Sequence, residues 1–154
     1  MSRLLVVHHT PSPGMQELLE AALRGAGQEG LESVEVRAVP ALGAGVSDVL
    51  AADGVLLGTP VNIGYLSGAL KHFFDQIYYP TLLARQGLPF GAWLHGADDA
   101  TGALRALGGI TGGLGWEQVA APVVVRGAPQ RRDLDAVAEL AATVAAVASG
   151  LLDD

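Results

Sequence analysis

The chain has 154 residues, a formal net charge of −7, and a composition that is 50% hydrophobic and rich in glycine. That length suits one domain, residues 1–154, with enough material to bury a sizeable core. The only lysine is Lys71, so the clustered cations needed to bind a phosphate backbone or an anionic membrane surface are missing, and both roles are disfavoured. There is no cysteine; this excludes disulfides, thiolate catalysis and Cys-ligated clusters, and fits a cytoplasmic location.

Leu4 to Val7 is a continuous apolar run, expected as a strand buried on both faces. It is far too short for a signal peptide or a membrane span. After the turn Thr10–Gly14, Met15, Leu18, Leu19, Ala22, Leu23 and Ala26 recur at helical spacing, and Gly25, Gly27 and Gly30 close that helix. Val34 to Ala38 alternates strictly, as an edge strand with one wetter face does. A short helix is expected over 47–52 and a third strand over 55–58, then a loop, then a helix from about Ser67 to Tyr78 with Leu66, Leu70, Phe73, Phe74 and Ile77 on one face. Pro89 to His95 is the fourth strand. A helix follows from about Thr101 to Leu107, and the glycine-dense 108–115 ends it. Val119 to Arg126 is the fifth strand, with Pro122 near its start, and 133–151 is a long Ala-rich amphipathic helix.

Strands alternating with helices imply a parallel sheet covered on both faces. Five strands favour the flavodoxin-like three-layer α/β sandwich with sheet order 2-1-3-4-5, which binds ligands where the order reverses, between the first and third strands.

Three loops at the carboxyl ends of the strands carry the candidate chemistry. In loop one, 9–15, Ser12 is a good N-cap and Pro13 a good first helical residue. The free N–H groups and positive dipole end there suit a phosphate, with His9, Thr10, Ser12, Gly14 and Met15 as candidate contacts. There is no Lys or Arg in this loop, and Pro11 and Pro13 remove two backbone donors; an ordinary helix cap is the competing reading. Loop two is Thr59, Pro60, Val61, Asn62, Ile63 and Gly64. Pro60 stiffens it, and Asn62 and Gly64 tolerate left-handed backbone; the competing reading is a plain strand-to-helix turn. Loop three runs from Gly96 to Gly102, both permitting close approach of backbone to a flat ring, with Asp98 and Asp99 between them. For the two aspartates, helix capping competes with any contact to a ligand.

The stretch Gly58-Thr-Pro-Val-Asn-Ile-Gly-Tyr-Leu-Ser-Gly-Ala-Leu-Lys-His-Phe-Phe-Asp75 resembles the flavin-contacting loop of flavodoxin-like NAD(P)H-dependent FMN reductases, where Gly-Thr-Pro, a short turn and Ser-Gly-x-Leu-Lys-x-Phe-x-Asp recur. The resemblance implies that FMN binds with its phosphate at loop one, its ring along loop two and its pyrimidine side at loop three. It implies electron transfer from NADH or NADPH to a quinone, a flavin or another small acceptor, in a homo-oligomer whose site is often completed across subunits. Loop one departs from the flavodoxin pattern Thr-x-Thr-Gly-x-Thr, since Met15 stands at its last hydroxyl. A non-enzymatic flavodoxin-type electron carrier and a flavin-less interaction module remain as alternatives. His8, His9 and His95 end strands near this edge, but nothing in their spacing makes a metal site, and no side chain is assigned as a catalytic acid or base. Ser67 is expected to start a helix, not to serve as a nucleophile, since Gly64 to Gly68 is not a Gly-x-Ser-x-Gly elbow.

Overall fold

A computed structural model describes residues 1–97 and 99–151. The chain begins with β1 (Ser2–His8), α1 (Pro13–Ala26), β2 (Val34–Pro40), the short α2 (Val46–Leu50) and β3 (Gly54–Asn62). It continues through β4 (Tyr65–Leu66), α3 (Gly68–Thr81), β5 (Pro89–Gly96), α4 (Thr101–Leu114), β6 (Glu117–Gln118), β7 (Val123–Arg126) and α5 (Arg131–Ser149). The sheet order is β2-β1-β3-β5-β6, with β7 also on β5 and β4 on β3. All pairings are parallel except β3 with β4. With β6 and β7 taken together as the fifth position beside β5, the order is the expected 2-1-3-4-5. The fold is flavodoxin-like.

Both faces of the sheet are apolar because each central strand is buried twice. Leu5, Val7, Val55 and Leu57 meet Phe73, Phe74 and Ile77 of α3 and Leu107 and Leu114 of α4. Leu4, Val6, Leu56 and Trp93 meet Met15, Leu18 and Ala22 of α1 and Val137, Ala141 and Val144 of α5. Two-sided burial is why the strands read as unbroken hydrophobic runs. The side-chain alternation of β1 divides its residues between these two cores. On the second face, α1 and α5 touch backbone to backbone at Gly25, where a Cβ would lie 1.9 Å from the Ala138 carbonyl oxygen.

Three segments depart from the sequence expectation. First, β3 does not stop at Gly58; it runs on to Asn62 and folds back onto β4, pairing Val61 with Leu66 and Asn62 with Tyr65. Loop two is therefore a β-hairpin, not an irregular turn. Its tip is Ile63 at φ 52 and Gly64 at φ 73, the two positive angles that a two-residue hairpin turn of type I′ requires. Second, the fifth strand is split. Pro122 cannot donate to the ladder, and residues 119–122 bridge β6 to β7 outside regular strand.

Third, α4 does not end at Gly108. It runs through the glycines to Leu114 and stops at Gly115, which adopts left-handed φ 72. The buried stripe Ala103, Leu107, Thr111 and Leu114 holds the helix together, so burial overrides the poor helix propensity of glycine. A Cβ at Gly108, Gly109 or Gly112 would meet nothing within 4 Å. Each of Gly108→Ala, Gly109→Ala and Gly112→Ala is expected to stabilise the fold by up to about 1 kcal/mol. A urea midpoint that falls in all three variants would contradict this account of α4.

Candidate functional site

Loop one is built as its residues dictate. Ser12 caps α1 with extended backbone, and its Oγ accepts from Met15 N–H at 3.2 Å, with Pro13 opening the helix. The Met15 N–H is thus committed to the cap, and its side chain is fully buried in the core. Of the expected backbone donors, those of Ser12 and Gly14 remain. His9 N–H donates to the Gly58 carbonyl at 3.0 Å, tying loop one to the end of β3. Thr10 Oγ1 lies 2.8 Å from His8 Nδ1. Burial, and then the neighbouring His9, hold the His8 pKa below its ordinary value, so the ring favours the neutral form.

Loop two is fixed from within. Thr59 is fully buried; its hydroxyl donates to the Pro60 carbonyl and accepts from Ser67 N–H. Ser67 caps α3 through Leu70 N–H at 3.1 Å, as a helix-start residue should. Thr59 and Pro60 are buried, while Asn62 and Ile63 are exposed, Ile63 completely so at 102%. A β-branched residue at positive φ is strained, and Ile63 buries nothing within the chain to offset that.

Loop three closes on loop two, and the end of β5 that leads into it closes on loop one. A Cβ at Gly96 would lie 3.0 Å from Val61 Cβ, and one at Gly102 would lie 2.5 Å from the Gly64 carbonyl oxygen. On the other side, a Cβ at Gly14 would lie 2.7 Å from His95 Cε1. Loops one, two and three therefore converge at the carboxyl edge of β1, β3 and β5. Asp99 Oδ1 accepts from the backbone N–H and hydroxyl of Thr101 and lies 3.4 Å from Arg126. The Thr101 contacts, foremost among its causes, hold the Asp99 pKa below the usual carboxylate value. Its charge is thus engaged at the start of α4, where an anion complements the helix dipole. Asp98 lies outside the described residues.

Two clefts open along this edge. One, of about 400 Å³, lies between loop one and the β7–α5 turn and includes Ser12, Gly14, Glu17, His95, Gly127 and Pro129. The other, of about 410 Å³, lies beyond loop three and includes Asp99, Thr101, Leu104, Arg126, Gln130 and Arg132. No group of three or more His, Asp or Glu among the described residues is placed to hold a metal ion, and no helix among them is long and apolar enough to cross a membrane.

The sequence profile of the NADPH-dependent FMN reductase family matches residues 17–128, most of the chain. The chain belongs to that family. A flavodoxin of Aquifex aeolicus (strain VF5) is 36% identical over 77 residues, half of this chain and 40% of the relative, so the match spans less than half the length of that curated protein. Among solved structures, a flavodoxin, WrbA-like protein from Agrobacterium tumefaciens superposes with TM-score 0.76 at 22% identity, covering 97% of this chain and 98% of that one. An NADH:FMN oxidoreductase in its apo form superposes with TM-score 0.76 at 14% identity, covering 96% and 90%. At these identities the structural likeness speaks for the fold alone.

Set in this FMN reductase family member, the sequence-derived residues fall into two groups. His9, Thr10, Ser12, Gly14, Val61, Gly64, Gly96, Asp99 and Gly102 stand in the converging turns with at least part of their surface free, and Asn62 and Ile63 form the exposed hairpin tip. Met15, Thr59 and Pro60 are buried, so their side chains support the turns from beneath. Sequence reasoning singled out neither Gly127 nor Arg126. Arg126 ends β7 and Gly127 opens the β7–α5 connection; both reach the site because β7 pairs with β5, which places Arg126 beside Gly96. A glycine directly after a strand, here Gly127 at φ 74, was the available signal.

Proposed function

We propose that this chain binds FMN and acts as an oxidoreductase that takes electrons from NADH or NADPH and passes them to a small-molecule acceptor such as a quinone or a free flavin. The convergence of the three carboxyl-edge turns carries the reading. The glycines at 14, 96 and 102 sit where side chains would collide, and the free donors of loop one are neutral. A phosphate held there rests on Ser12 and Gly14 N–H, the hydroxyls of Thr10 and Ser12, and the positive end of α1. The hairpin 59–66 and the turn from Gly96 to Gly102 hold the ring. Bound FMN supplies the hydride chemistry; the protein supplies binding, orientation and electrostatics. Self-association is part of the proposal, supported by the exposed apolar Ile63, Tyr79 and Leu83, and molar mass by light scattering reads it out.

The net charge of −7 favours one competing reading, an electron carrier that docks on basic redox partners. Anaerobic mixing of NADH or NADPH with FMN-loaded protein separates the two. Rapid bleaching of the flavin band is expected. Intact colour with both nucleotides, in protein that dithionite still reduces reversibly, would leave the carrier. Failure to retain FMN at all would remove both and leave an interaction module.

A further inference from the structure

His95 is the side chain through which loop one meets the strand that starts loop three. It lies near the end of β5, one residue before Gly96, with its ring against Gly14. There, a Cβ would sit 2.7 Å from Cε1, 3.3 Å from Nε2 and 3.4 Å from Nδ1. Its Nε2 is 2.8 Å from the Gly127 carbonyl oxygen. A carbonyl can only accept, so Nε2 carries the proton. In the neutral ring Nδ1 is then left as a lone-pair acceptor.

An acceptor repels a phosphate and welcomes a hydroxyl. FMN carries its hydroxyls on the ribityl chain, which joins phosphate to ring and so must run from loop one to loops two and three. His95 stands at the loop-one end of that interval, against Gly14, and is followed directly by Gly96, where loop three begins. We propose that His95 Nδ1 accepts a hydrogen bond from a ribityl hydroxyl, making His95 the residue that recognises the polyol portion of the flavin. The inference rests on the FMN-binding reading above.

Three ligands divide the possibilities: FMN; riboflavin, which has the polyol without phosphate; and lumiflavin, which has the ring with a methyl group in place of the polyol. His95→Ala is expected to weaken FMN and riboflavin by the same factor, about tenfold, and to leave lumiflavin binding unchanged. His95→Gln should restore part of the loss, because its amide can donate to the Gly127 carbonyl while its oxygen accepts from the hydroxyl. In wild-type protein, imidazole ¹⁵N NMR should find the Nε2–H tautomer with an Nδ1 resonance that moves when riboflavin is added. A loss confined to FMN would mean a phosphate contact and overturn the proposal. So would an equal loss for lumiflavin, no loss at all, or an Nδ1 resonance that riboflavin leaves in place. If wild-type protein binds FMN and one of these results follows, only this inference falls. If it binds none of the three flavins, the FMN reading falls and takes this one with it.

Discussion

Gly102→Ala should cut FMN affinity about tenfold or more while the fold survives. Gly102 lies exposed in the first turn of α4, where alanine is intrinsically the better helix former by about 1 kcal/mol. The added methyl group, however, would sit 2.5 Å from the Gly64 carbonyl oxygen. Either the hairpin tip or the start of α4 must give way. Overpacking of this kind costs about 1–3 kcal/mol. Here the cost falls on the relative placement of loops two and three, because the hairpin tip is anchored to little else. Quenching of flavin fluorescence measures the affinity, and a thermal melt of the apoprotein checks the fold. Unchanged affinity would mean that the contact between these two loops does not shape the flavin site.

Gly25→Ala is the counterpart on the far side of the sheet, and its expected effect is on stability. Its methyl group would fall 1.9 Å from the Ala138 carbonyl oxygen and 2.7 Å from the Ala138 Cα. Backbone in the middle of α5 cannot turn aside as a side chain can, so α1 and α5 must separate and loosen the core between them. A loss of about 3 kcal/mol is expected, lowering Tm by roughly 10 °C for a chain of this size. A shift of a degree or less would mean that the two helices slide past each other at little cost.

The parts of the fold that were legible are those governed by local chemistry. The caps at Ser12 and Ser67, the amphipathic stripes of α1 and α3, and the doubly apolar β1 and β3 all follow from residues within a few positions of each other. The parts that were not legible depend on distant partners. No local rule places Ile63 at positive φ when Asn62, which tolerates it better, stands beside it. The pairing of Val61 with Leu66 and the contact of Gly64 with Gly102 decide that turn instead. In the same way, the glycine run of α4 reads as a helix end until Leu107, Thr111 and Leu114 are seen to share one buried face. For the candidate site, position at the carboxyl ends of strands was enough to select the three loops. The bridge from Gly14 through His95 to Gly127 joins residues far apart in sequence, and no spacing encodes it.

α1 is held at both ends, by the His95 ring at Gly14 and by the α5 backbone at Gly25. A rod clamped at two points can neither tilt nor slide. A ligand arriving at the first turn of α1 therefore meets donors whose positions were settled when the chain folded, and little of its binding energy goes into organising them.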